Sequence, residues 1–163
     1  MTTEPEVARL TGTVLPVRRR SVLEWLTRRS DRTDGADWAI MSAKTGEFLG
    51  AVGLGDFRPE TACAKLRISL LSPTLFGQGY GTAAAVTALQ YGFDQVKLQR
   101  VSLEVFDFNE RAQRSYLKAG FRHEGLLRQA HHDENGWHDV VVMAALANDV
   151  RPQPTPKHPP TSP

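Results

Sequence analysis

The spacing of apolar residues changes several times along the chain, and each change marks an element. Residues 1–30 read as one or two helices broken at Pro16, a residue well tolerated in a first helical turn. After the loop "DRTDGAD", the runs "WAIMSA" and "FLGAVGLGDF" have the length and apolar content of strands. Between them "KTGE" (44–47) reads as a tight turn, with Gly46 suited to a positive φ. "RPET" is a second turn, and "CAKLRISLLS" is a third strand with partial alternation. The spacing turns helical from position 82 to about 97, with an apolar face of Ala85, Val86, Leu89, Phe93 and Val96. "RVSLEVFD" (100–107) is apolar enough for the middle of a sheet. Asn109 can cap the helix "ERAQRSYLKA", and Gly120 can end it. The last stretch reads as a hairpin turning near 134–136.

Helices, three antiparallel strands, helix, strand, helix and hairpin make an α/β mixed sheet. The pattern predicts one domain over 1–150 and a disordered or polyproline-like tail over 151–163, where six of the ten prolines stand.

Composition adds little to this picture. Twenty basic against eighteen acidic residues is too balanced to argue for nucleic acid. The basic cluster "RRRSVLEWLTRR" (18–29) reads as the solvated face of an amphipathic helix in preference to an RNA or membrane contact. No apolar run approaches the ~20 residues of a membrane span. The start shows neither a basic n-region nor an apolar h-region, so a cytoplasmic protein is expected. Cys63 is the single cysteine and reads as a buried structural residue.

Candidate chemistry begins at "SPTLFGQGYGTAAAVTALQYGF", where Gly77, Gly79 and Gly81 alternate directly before a helix. A helix N-terminus exposes about four unpaired N–H groups and roughly half a positive charge. Glycines let an anion approach that backbone, so the stretch suits a phosphate or pyrophosphate. A Walker loop is excluded, because Thr82 and Ala83 follow Gly81 where a lysine would be required. Gly79-x-Gly81-x-x-Ala84 fits a relaxed Rossmann pattern, but "SPTLF" separates the strand from its first glycine. The chain also lacks room for a second mononucleotide half. Further on, Asn109 and Tyr116 are seven residues apart and share nearly the same helix face, so one ligand can meet both.

Taken together, "FGQGYG" and "NERAQRSYLKAGF" resemble the signatures of the GNAT superfamily of acyl-CoA-dependent N-acetyltransferases. The second matches its Asn-x-x-(Ala/Ser)-x-x-x-Tyr-x-x-x-Gly-Phe pattern through Asn109, Ala112, Tyr116, Gly120 and Phe121. The closing "EGLLRQAHHDENGWHDVVVMAAL", with Gly136 and Asp139, is similar to the branch holding the ribosomal-protein alanine N-acetyltransferases. The resemblance covers about 36–147.

It implies a mostly antiparallel sheet with a splayed parallel strand pair, flanked by helices, and acetyl-CoA as co-substrate with no metal. It also implies roles for particular residues. The amides of Gln78, Gly79, Tyr80, Gly81 and Thr82, with Phe76 and Gly77 in the same signature, would bind the CoA pyrophosphate. Ser69, Leu70 and Leu71 would pair with pantetheine, and Asn109 would hydrogen-bond it, with Ala112 beside it. Tyr116 would protonate the departing thiolate. For Arg111, Arg114 and Lys118 a solvated face is the preferred reading over phosphate contact.

The chain departs from the pattern at two points. Phe76 stands where the signature usually has Arg or Gln. The family's opening strand is also expected to be missing, with the cleft completed by another subunit, such as a homodimer partner, or left incomplete.

The implied acceptor is an amine, which must be neutral to attack. At pH 7.4 deprotonation costs about 0.5 kcal/mol for an α-amine and about 4 kcal/mol for a lysine. No strong buried base stands out, which tilts the expectation towards a low-pKa amine such as a protein N-terminus or an aminosugar. Lys65 occupies a position where many relatives have Glu. Glu104 is the best catalytic candidate for base because its strand should desolvate it, and a structural role is the alternative. Asp56, His123 and His132 are weaker candidates. His131, His132 and His138 read as a surface loop in preference to a metal site. The rival to an enzyme is a sensor or scaffold module that holds acyl-CoA without turnover.

Overall fold

A computed structural model describes residues 4–13 and 34–149. The readings for the segment around Pro16, the basic cluster at 18–29 and the proline-rich tail lie outside the described residues. Helix α1 (Pro5–Thr11) is followed by β1 (Ala36–Met41), β2 (Phe48–Arg58) and β3 (Cys63–Leu70). A 3₁₀ turn (Pro73–Leu75) leads to α2 (Tyr80–Gln90), then β4 (Arg100–Phe106), α3 (Glu110–Ala119), β5 (Arg122–Asp133) and β6 (Gly136–Leu146). The first described element is thus a helix.

The strands form one sheet in the order β1-β2-β3-β4-β6-β5. All neighbours are antiparallel except β3 and β4, which makes the mixed architecture expected from the strand and helix order. The β1–β2 turn closes through Ser42 N–H to Glu47 O and Gly46 N–H to Ser42 O, both 2.8 Å, with Gly46 at φ 71° as its residue type predicted.

The parallel pair decides the shape of the sheet. β3 and β4 bond only at Cys63↔Arg100, Ala64↔Val101 and Lys65↔Ser102. Beyond that point each strand continues but pairs only on its other side. β3 stays zipped to β2 up to Gly50↔Leu70, and β4 stays zipped to β6 from Arg100↔Leu146 to Phe106↔Val140. The closed end is stapled by Gln99 N–H to Ala62 O at 2.8 Å. The two strands therefore open like a fork whose outer edges are both held.

Helix α2 covers the sheet with Ala84, Ala85, Val86, Ala88 and Leu89, all buried in a cluster with Leu54, Leu66, Val101, Leu103 and Met143. Its small residues let it lie close to the strands. The helix does not run unbroken to position 97. Residues Tyr91–Gln95 form a π turn, whose wider winding shifts the apolar phase. Val96, expected on the apolar face, is consequently exposed, and Leu98 takes a core position, its N–H bonded to Gly92 O at 2.9 Å.

Helix α1 is short, and side-chain contacts tie it down. Val7 and Ala8 are buried. Arg9 bonds Asp133 at 3.0 Å and lies 4.2 Å over the Phe108 ring, joining α1 to the end of the β5–β6 hairpin. β5 is the outer strand and is exposed along most of its length. No described helix is long and apolar enough to cross a membrane.

Gly50 sits where β2 holds the free half of β3. A methyl group there would collide with the Ser69 carbonyl oxygen and lie 2.9 Å from Leu70 Cα. Gly50→Ala is expected to lower stability by about 1–3 kcal/mol, the usual cost of an overpacked site. Urea unfolding checks this, and an unchanged midpoint would show that β3 is not pressed against β2 as described.

Candidate functional site

The fork opens into a cleft of about 860 Å³ bordered by β3, β4, the glycine turn and α3, with α1 closing one side. Of the residues singled out in the sequence, Ser69, Leu70, Phe76, Gly77, Gly79, Tyr80, Gly81, Thr82, Glu104, Asn109, Ala112 and Tyr116 all line it. Two do not. The Leu71 N–H is spent on Leu49 O at 2.9 Å, towards β2 and away from the fork. The Gln78 side chain folds back on Thr74 O at 2.7 Å.

The glycine turn is built by local chemistry. Ser72 Oγ accepts from Thr74 N–H, Pro73 starts the 3₁₀ turn, and Gly77 and Gly79 take φ of 74° and 86°. Gly79 then caps α2, which begins at Tyr80, two residues earlier than the spacing predicted. The first bond across the cap is Ala83 N–H to Gly79 O at 2.9 Å. The N–H groups of Tyr80, Gly81 and Thr82 lie ahead of it, where a helix has no internal acceptors to offer. No cap side chain covers them. Gly81 needs neither a positive φ nor relief from crowding, since a Cβ there would meet no protein atom within 4 Å. The fold does not require glycine at that position. The space it leaves faces the cleft and suits an anion on the amides.

Helix α3 supplies the opposite wall. Asn109 is buried and caps the helix, its Oδ1 accepting from Ala112 N–H at 3.2 Å, and Gly120 ends it at φ 103°. Two turns along, the Tyr116 ring packs edge-on against Phe121 with centroids 5.8 Å apart. Burial pushes its phenol up to about 12, so it stays protonated at any working pH.

Arg111, Arg114 and Lys118 were expected on a solvated face; Arg114 and Lys118 are exposed there, and all three also border the cleft. The Arg111 guanidinium stacks 3.8 Å over the Phe76 ring. The aromatic at the unusual signature position therefore holds a cation supplied by α3, a pairing hidden in the sequence by thirty-five residues of separation.

Glu104 was expected to be desolvated by a central strand. The strand is central, but its partner across the sheet at that level has already forked away, so the side chain is half exposed. Its Oε1 accepts from Lys65 Nζ at 3.1 Å, across the mouth of the fork. Asp56 is held by Arg67, and His132 packs on Trp137. Neither Asp56, His123 nor His132 lines the cleft. Asp133 sits among His138 at 2.8 Å, Arg9 at 3.0 Å and the Asn135 N–H at 2.8 Å. Desolvation opposes its charge, but these donors outweigh it and hold the carboxyl well below the usual range. Among the described residues no group of three or more His, Cys, Asp or Glu is placed to hold a metal ion.

One residue whose position in the chain predicts a surface loop is instead in the cleft. His131 lines the cleft and stacks on Phe106, centroids 4.2 Å apart. Its placement depends on a bulge in β5, which has no signature in residue type.

The Acetyltransferase (GNAT) domain family matches residues 1–122. The chain belongs to the GNAT acetyltransferase family. It is 29% identical over 112 residues to the uncharacterised N-acetyltransferase YoaA of Bacillus subtilis, covering 69% of this chain and 63% of that protein. It is 38% identical over 106 residues to the spermidine N(1)-acetyltransferase of Escherichia coli K12, covering 65% of this chain and 52% of that protein. The chain thus spans between about half and two thirds of the length of these relatives. The spermidine N-acetyltransferase of Vibrio cholerae, solved with CoA and spermine, superposes with a TM-score of 0.80 at 20% identity, covering 87% of this chain and 83% of that one. That likeness establishes a GNAT fold.

Two measurements follow from this GNAT cleft. In an ultraviolet pH titration, the wild-type spectrum minus that of Tyr116→Phe should show phenol ionisation near pH 12. A transition near the ordinary value of about 10 would show the ring to be solvated. Gly81→Leu should weaken CoA binding ~10-fold or more by calorimetry with little change in melting temperature, because the side chain enters open space at the amides. Unchanged affinity would show that the anion does not approach there.

Proposed function

We propose that this chain transfers an acetyl group from acetyl-CoA to a primary amine, with Tyr116 as general acid. The observation that carries the reading is convergence. A fork with one unpaired edge on each side, an N-terminal amide turn and a partly buried phenol all border one cleft. The residues present fit CoA: Tyr80, Gly81 and Thr82 would hold its pyrophosphate, with Arg111 on Phe76 beside them. The free edge of β3 at Ser69 and Leu70 would take the pantetheine amides, and Asn109 would meet the same arm. When bound, acetyl-CoA supplies an activated acyl carbon and a thiolate leaving group.

Tyr116 gives its proton to the sulfur as the C–S bond breaks. Moving a proton from a phenol at about 12 to a thiolate of ordinary pKa near 8.5 is uphill by about 5 kcal/mol. That fits within the ~16 kcal/mol barrier of a turnover of about ten per second. In return, burial keeps the donor loaded. Glu104 spends Oε1 on Lys65, and its half-exposed carboxylate would face the acceptor's ammonium only as a member of that ion pair. The relatives named for spermidine support a small-molecule amine acceptor, and a protein N-terminus remains within the same chemistry.

Lys65, bonded to Glu104 and so occupying the carboxylate best suited to a base, favours the alternative of a sensor that binds acyl-CoA without turnover. Thiol release from acetyl-CoA with a panel of amines separates the two. For the enzyme, Tyr116→Phe should lower turnover ~10²-fold or more with CoA affinity little changed. CoA binding without thiol release for every amine would select the sensor, and an unaltered rate in the variant would remove Tyr116 as the acid.

A further inference from the structure

The described part of the cleft contains a single imidazole, that of His131, and the chain goes to some length to place it there. β5 pairs regularly with β6 at Leu127↔Val140 and again at His131↔His138, so three residues of β5 (128–130) stand opposite one of β6 (Asp139). The excess is taken up in a bulge where Gln129, a non-glycine residue, has φ 51°. The Asp139 carboxylate accepts from the Gln129 N–H at 2.7 Å and holds the bulge. Beyond the bulge His131 stacks on Phe106, with rings 4.2 Å apart and 25° from parallel, at the far end of β4. Bulges commonly re-aim a side chain next to a site.

The other carboxylates and imidazoles nearby, Asp37 of the same cleft included, have partners of their own. Glu104 accepts from Lys65, and Asp107 Oδ1 from the Phe108 N–H. Asp139 holds the bulge, while His138 pairs with Asp133, which also holds Arg9 of α1. The His131 ring nitrogens take no hydrogen bond from any described residue, although its ring is half-buried in stacking contacts with Phe106 and, at 6.3 Å, His138.

We propose that His131, delivered to the cleft by the Asp139-held bulge, is the general base that takes a proton from the acceptor ammonium. This rests on the acetyl-transfer reading above. Imidazole suits the task because its ordinary titration range lies near neutrality. His131 removes one proton from R–NH₃⁺ and frees the nitrogen lone pair. That pair forms the C–N bond as the C–S bond breaks, and Tyr116 protonates the sulfur. The second nitrogen proton returns to the Tyr116 oxygen, and His131 releases the first to water.

The test compares the wild-type chain with His131→Ala and with His131→Phe, which keeps a ring on Phe106 but has no nitrogen. Each is assayed for thiol release with an alkylamine, ionised at neutral pH, and with an aromatic amine that is already neutral. Both variants should bind CoA as wild type does and lose ~10²-fold in turnover of the alkylamine. The loss on the aromatic amine should be much smaller, and added imidazole should restore part of the activity of His131→Ala. Wild-type rates in either variant would overturn the proposal. So would equal losses on both amines, which mark a packing role alone. A wild-type chain that releases no thiol with either amine would overturn the acetyl-transfer reading and this proposal with it.

Discussion

The parting of β3 from β4 after three residue pairs is the constraint on which the rest of the structure depends. A parallel pair that stayed zipped would have no free backbone edges, and the space between them would be filled by side chains. Here each strand is secured on its outer side, β3 by β2 and β4 by β6. The inner edges can therefore remain unpaired without unravelling the sheet. Unpaired strand edges are normally a liability, and proteins cover or use them. In this chain they border a cleft, and an extended, amide-bearing molecule is the natural partner for such an edge.

The same opening gives the proposed site backbone groups for binding and few side chains for chemistry. The amides at the start of α2 come into position because Gly77 and Gly79 accept left-handed conformations and because Gly81 leaves its side empty. Their charge is fixed and partial, so it does not depend on pH. Charged side chains frame this centre. Arg111 rests on Phe76 beside the amide turn, and Lys65 meets Glu104 where the fork begins. Exposed pairs of this kind contribute little to stability, on the order of 1 kcal/mol or less. Their effect is on which charges a ligand encounters. Tyr116 is the exception, a polar group whose burial sets its protonation state.

Local residue chemistry was enough to read most elements and half of the cleft. The glycine spacing, the Asn109 cap and the seven-residue interval to Tyr116 all act within one turn or one helix. Their geometry follows from φ preferences and the 3.6-residue period. The length and apolar content of "WAIMSA" and "FLGAVGLGDF" likewise mark strands that meet the core, through Ile40, Leu49, Val52 and Leu54. Where local winding changed, the reading slipped: Val96 lost its predicted burial because a π turn intervened, and nothing in "YGFDQV" announces one.

What only the tertiary structure decided involves residues far apart in sequence. The sheet order brings Lys65 to Glu104, and α3 lays Arg111 on Phe76. A two-residue excess in β5, absorbed against β6, turns His131 into the cleft. Pairing register and strand divergence come from the sum of many weak packing and hydrogen-bond terms across the sheet. No single residue type encodes them, and so the amide turn, the cap and the phenol were legible in the chain while their charged and imidazole neighbours were not.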